Sequence, residues 1–173
     1  MSIQLEHPYF GLLAYDDKNH HFAGQRTDER VGMIEVKLRP FDHLPLPYPA
    51  IETVLPEVEA RLDGAADYLR EAIGERDELI GAVVEDLLET YNENWRCFSQ
   101  SRGDGTWEEV EREVLDERSF AAALRFTAFD VALPIGPDSA YSYDAWLEPG
   151  DLFWDHRIHV SRSDSGFYVS LFG

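Results

Sequence analysis

The chain has 173 residues, 44% of them apolar and 13% aromatic, which is enough to bury a sizeable core and excludes disorder despite the charge. Its 34 acidic and 15 basic residues give a formal net charge of -19. Such a field repels nucleic acid and anionic membranes and favours basic partners.

At the amino end, residues 1–9 (MSIQLEHPY) hold Glu6 and His7 rather than a charged-then-apolar leader. No run of about 18 apolar residues occurs anywhere, so no membrane span is expected. Cys97 is the only cysteine and cannot form an internal disulfide. Together these features predict a single domain, 1–173, in the cytoplasm.

Residues 9–15 (YFGLLAY) are aromatic and β-prone, and Asp16-Asp17-Lys18-Asn19 reads as a turn. Residues 20–26 return as a second strand. In residues 31–38 (VGMIEVKL), Gly32, Ile34, Val36 and Leu38 share the better core face of a third. Strands are therefore expected within 9–40. Pro40, Pro45, Pro47 and Pro49 then make a connector, because proline fixes φ and removes ladder donors.

Helices are expected over 50–98. Leu55, Val58, Leu62, Ala65, Leu69 and Ile73 recur at spacings of three and four, as one buried stripe requires. Gly64 weakens this helix and Gly74 can end it. A second helix starts near Arg76 or Asp77, with Ile80, Val84, Leu87, Tyr91 and Trp95 as its stripe, widened by Val83 and Leu88. Residues 99–106 (SQSRGDGT) read as a polar loop, and residues 107–114 fit either a short strand or a helical turn. Residues 116–124 (DERSFAAAL) predict a short third helix. Strands follow within 125–173: 125–133, 141–147, 152–162 and 167–172, separated by turns at Pro134, Pro149-Gly150-Asp151 and Ser163-Asp164-Ser165-Gly166. Strands in runs, rather than alternating with helices, predict α+β architecture: a mainly antiparallel sheet with two or three helices on one face.

The segment Gly150-Asp151-Leu152-Phe153-Trp154-Asp155-His156-Arg157-Ile158 resembles the closing GDLFWGHSI-like strand of an uncharacterised bacterial domain-of-unknown-function family. Phe10-Gly11-Leu12-Leu13-Ala14-Tyr15-Asp16 resembles that family's opening FGxLxxD, and Asn92-Glu93-Asn94-Trp95 resembles its NExW. Ser119-Phe120 with Leu124 resembles its short helix before a strand. Asp155 stands where the family has glycine, and Arg157 where it has a small polar residue. The resemblance spans nearly the whole chain. It implies a shared fold and brings no established activity with it.

Two functional readings follow from the residues. Between Ile51 and Glu117 lie 20 carboxylates against 6 arginines and no lysine, a net of -14. No G-x-S-x-G, P-loop, G-x-G-x-x-G or H-E-x-x-H accompanies them. The first reading is an acidic, non-catalytic binding protein without a cofactor that neutralises a basic protein partner. Its most concrete version is a bacterial toxin-immunity protein. Glu85, Asp86, Glu89, Glu93, Glu108, Glu109 and Glu111 are the expected contact residues. The duller account of each single carboxylate is solubility.

The second reading is a metal-binding protein or hydrolytic enzyme that uses the His156 strand, helped by the His20-His21 pair. On a regular strand, His156 faces the core with Trp154, Ile158 and Val160, while Phe153, Asp155, Arg157 and His159 face the other way. That placement favours a structural His156. A third reading is a subunit without chemistry that docks through an exposed aromatic patch of Tyr141, Tyr143 and Trp146.

Overall fold

The computed structural model describes residues 3–163 and 165–173. The chain opens with four strands, β1 (Gln4–His7), β2 (Gly11–Asp16), β3 (His21–Asp28) and β4 (Gly32–Arg39). Two helices follow almost end to end, α1 (Ile51–Gly74) and α2 (Arg76–Thr90), and α2 runs on into a π-helical turn, Tyr91–Trp95. Next come β5 (Cys97–Ser101), β6 (Trp107–Glu111) and α3 (Glu117–Ala123). The chain closes with β7 (Arg125–Ala132), β8 (Ser142–Glu148), β9 (Arg157–Ser163) and β10 (Gly166–Phe172).

Eight strands form one sheet in the order β1-β2-β3-β4-β7-β8-β9-β10, and β5 with β6 forms a separate ribbon. Every pair is antiparallel except β4 with β7. The exception follows from connectivity. Two antiparallel meanders meet at the last strand of one and the first strand of the other. All the helices lie in the crossover between them, and parallel neighbours require a long crossover of that kind. The result is the expected α+β class with a mainly antiparallel sheet.

One sheet face is apolar. Val36, Leu38, Phe129, Val131, Ala145, Leu147, Ile158 and Val160 point into the core cluster. Val58, Leu62, Ala65, Leu69 and Ile73 of α1 and Leu79, Ile80, Val83 and Leu87 of α2 meet them there. Each large apolar side chain so buried contributes about 1.5–3 kcal/mol. The predicted α1 stripe is therefore the observed one, except that Leu55 is half-buried.

Gly64 of α1 has a packing role. A Cβ there would clash with the Tyr141 hydroxyl, which donates to the Arg61 carbonyl at 3.0 Å. Tyr141 is also stacked on Tyr68. Gly64→Ala gains about 1 kcal/mol of helix propensity but must displace this stiff ring, at a cost of about 1–3 kcal/mol. We expect net destabilisation of about 1 kcal/mol, read as a lower urea midpoint with unchanged slope.

Four sequence expectations need correction. A strand, β1, precedes the expected three, with Leu5 paired to Leu13 and both buried. Residues 99–106 are not simply a loop: 97–101 pair with 107–111 to make the ribbon. The strand expected over 152–162 begins only at Arg157, because turns at Leu152 and His156 hydrogen-bond back to Pro149 and Phe153. The aromatic patch does not exist: Tyr143 is buried, and Tyr141 and Trp146 are half-buried.

Candidate functional site

Glu85, Asp86 and Glu89 are exposed on α2, as is Glu78, and Glu93 is exposed on the π-helical turn. No lysine or arginine lies between Arg76 and Arg96, and those two arginines are engaged by Asp77 and Glu111. Glu85, Glu89 and Glu93 follow at steps of four, so like charges face one another along the helix. Beside this stripe, Ile80, Gly81 and Val84 of α2 and Ala121 of α3 line a shallow groove of about 590 Å3. Asp77, Glu85, Glu117 and Arg118 also line it.

The remaining predicted contacts sit on β6. Glu108 accepts from Arg102 at 2.9 Å and Glu111 from Arg96 at 2.6 Å, while Glu109 is exposed. Alternation puts Glu109 and Glu111 on one face of the ribbon and Glu108 on the other. The seven residues thus occupy three elements, and two of the seven are already paired with arginine.

The histidines separate. His156 is half-buried in the turn before β9, with Nδ1 3.0 Å from the Phe153 carbonyl and its ring against Trp95. His20 packs on Phe41 and Tyr48. Among the described residues no three His, Cys, Asp or Glu side chains gather as a metal site. The expected face assignment is reversed at the motif. Phe153 is fully buried, and Trp154 is 51% exposed. A turn, rather than a strand, carries both residues, so strand alternation does not apply to them.

His159 lies on the sheet face away from the helices. Its Nε2 is 3.0 Å from Asp144, its Nδ1 is 3.3 Å from the Ser170 hydroxyl, and its ring packs on Trp146. Arg39 donates to the other Asp144 oxygen at 2.7 Å. Next to them, Asp130 accepts from the Trp146 indole at 3.1 Å and has Lys37 at 4.0 Å. Register explains the grouping: Lys37, Asp130 and Asp144 are cross-strand neighbours, as are Trp146, His159 and Ser170.

Burial raises the Asp130 pKa above the usual carboxylate range, against the opposing pull of Lys37 and Trp146. A carboxyl with a raised folded pKa binds more protons folded than unfolded. Its ionisation therefore lowers stability as pH rises from about 4 through the raised value. Asp130→Asn removes that dependence. We expect its stability relative to the parent chain to increase as pH rises from about 4 to about 7, measured by urea unfolding across that range.

A third region was not legible from the sequence. The π-helical turn brings Trp95 against Phe153, Trp154 and His156, with centroids 5.0–5.4 Å apart. Asn92, in the same turn, clamps Leu115 through its side chain, accepting from the backbone N–H and donating to the carbonyl. Trp154 adopts φ +58, a left-handed conformation that is costly for a bulky residue and found most often where function requires it. Its indole also packs edge-on against Phe98 of β5. Between ribbon and turn runs an open groove of about 630 Å3. The segments Asn92–Trp95 and Gly150–His156 meet here although they lie more than fifty residues apart. Single-residue alternation could not reveal this, because neither a π-helical turn nor a left-handed tryptophan has a periodic signature.

Comparison of the chain with protein-family models, with curated proteins and with solved structures found no match. Among the described residues, no helix is long and apolar enough to cross a membrane.

Proposed function

We propose that this protein is an acidic, non-catalytic binding protein that occupies the basic surface of a protein partner through α2 and the acidic ribbon. The observation that carries the reading is the stretch from Asp77 to Trp95, which holds six exposed carboxylates and no basic residue. Like charges at helical spacing oppose helix formation, so the stripe is maintained against a local cost. The apolar floor beside it, at Ile80 and Val84, adds what a charged surface alone lacks, a place to bury an anchor. The most concrete version is a toxin-immunity protein, since nuclease toxins present basic surfaces that an acidic inhibitor reaches by fast, salt-sensitive association.

The test is capture of partners from the native host by the immobilised chain at about 50 mM and 500 mM salt. The expected result is a basic protein held at low salt and depleted at high salt. Recovery of no basic protein under either condition would count against the reading.

A hydrolytic reading of the His156 strand draws on one observation, the carboxylate–imidazole–hydroxyl line of Asp144, His159 and Ser170. Arg39 shares that carboxylate, which ties it to a structural ion pair. Labelling of Ser170 by a fluorophosphonate, lost in His159→Gln, would favour this reading.

A further inference from the structure

The ribbon has a free edge beside the Trp154 groove. Arg112 donates its backbone N–H to the Arg96 carbonyl, and Arg102 donates to Thr106. Bonded pairs alternate in an antiparallel ladder. With the observed register, Phe98 and Gln100 therefore bond inward to β6, while the N–H and C=O groups of Cys97, Ser99 and Ser101 point away from it. Among the described residues the ribbon contains these two strands and no third strand covers that edge. Four consecutive β5 residues, Phe98 to Ser101, form one wall of the 630 Å3 groove, and Asp151 and Trp154 belong to the other. Arg112 bridges the walls: its guanidinium lies 4.7 Å from the Phe98 ring centre and donates to the Asp151 carbonyl. Four strand residues span about 13 Å, the reach of a short extended peptide.

We infer that this groove is a peptide-docking site in which an extended, lysine- or arginine-bearing segment of a protein partner adds to β5 as a third strand and packs its side chains on Trp154. Backbone pairing at a sheet edge provides affinity, and side-chain contacts provide choice. The charge of the occupant follows from the surroundings. Residues 96–113 and 150–156 hold seven carboxylates against three arginines. Arg96 and Arg102 are engaged by Glu111 and Glu108, and Arg112 by the Asp151 carbonyl. A second copy of the chain is a poor occupant, since it would bring another net charge of -19 to the same edge. The inference rests on reading the protein as a binding module, and it assigns that module a second contact separate from α2.

The probe is an acetylated and amidated Lys-Val-Lys-Val-Lys-Val peptide, titrated into the full chain. Tryptophan fluorescence would report binding, and amide hydrogen exchange would locate it. Saturable binding is expected, with slowed exchange at Cys97, Ser99 and Ser101. The same peptide N-methylated at alternate residues should bind at least about tenfold more weakly, since it cannot complete the ladder. Ser99→Pro should do the same, because its lost N–H is an outward one and the bonds to β6 survive. Trp154→Gly, which suits the left-handed backbone, should weaken binding by a similar factor. Equal affinity for the N-methylated peptide overturns the inference without relying on any variant. So does the absence of saturable binding at millimolar peptide, or self-association of the chain that Ser99→Pro abolishes. Glu59→Gln, exposed on α1 and outside both proposed surfaces, should leave peptide affinity within about twofold, and the N-methyl and Ser99→Pro effects are read at the edge alone. Failure of the edge therefore does not decide the capture experiment, and a failed capture does not decide the edge.

Discussion

Phe153→Ala should cost about 3–5 kcal/mol, and Trp154→Gly, one residue on, less than about 1 kcal/mol. Phe153 is fully buried, with ring contacts to Tyr91, Trp95 and Phe120 at 5.4–6.1 Å. Those partners come from the π-helical turn and α3, so the ring is the point at which the crossover is fastened to the start of β9. Removing it leaves a cavity among aromatic rings that are too stiff to close over it. Trp154 presents the opposite balance. It is half exposed, and its left-handed backbone is relieved by glycine. The loss of its contacts with Trp95 and Phe98 is therefore partly offset. Urea unfolding of the two variants would compare them directly. A regular strand through residues 152–162 predicts the reverse order, with the tryptophan severe and the phenylalanine mild, and that order would overturn the turn described here.

This reversal shows where sequence pattern stops being informative. Pattern succeeds where one element buries one continuous stripe. Val58, Leu62, Ala65, Leu69 and Ile73 are buried as their spacing predicts, because a 24-residue helix averages over local exceptions. Asp116 caps α3 by accepting from the Ser119 N–H at 2.7 Å, a local rule that needs no tertiary context. Pattern fails for the ribbon, because Cys97, Ser99, Ser101 and Trp107 are all exposed and neither strand shows hydrophobic alternation. The ribbon is defined by its pairing and by a few contacts with the turn before β9, Phe98 against Trp154 and Arg112 with the Asp151 carbonyl. β1 lacks a sequence signature for a related reason. His7 occupies a core-facing position, and a histidine does not register as apolar. It is nevertheless buried, with Nε2 3.0 Å from Asp63 of α1 and its ring beside Phe10.

The sheet face bearing Asp130, Asp144 and His159 was unreadable for a different reason. Its members come from β4, β7, β8, β9 and β10, and they become neighbours only once the order and register of five strands are fixed. The acidic stripe on α2 needs only the helix, which is why the expected Glu85, Asp86 and Glu89 are exposed together while the β6 carboxylates divide between two faces. Sites built from one element are legible in sequence, and sites built from several are not. The candidate surfaces fall on either side of that line: α2 is local, whereas the Trp154 groove joins a π-helical turn, a ribbon and a loop.

The α2 stripe also gives the most discriminating functional expectation. Glu89→Lys should stabilise the folded chain and weaken its hold on a basic partner. In the parent sequence Glu89 faces Glu85 one turn before it and Glu93 one turn after it, and both pairs repel. Lysine at this position turns both repulsions into attractions, one with glutamate on the favourable amino-terminal side. The sum is a gain of about 0.5–1 kcal/mol, read as a higher urea midpoint. On the partner side, the same change puts a cation against a basic surface. Association at low salt should slow by about tenfold or more, with the difference shrinking as salt is raised. A residue kept only for solubility would show the first effect without the second. A residue kept for recognition shows both, since the repulsion it causes in the free chain is relieved by the partner. Unchanged association kinetics for Glu89→Lys with a captured partner would remove α2 from the binding surface.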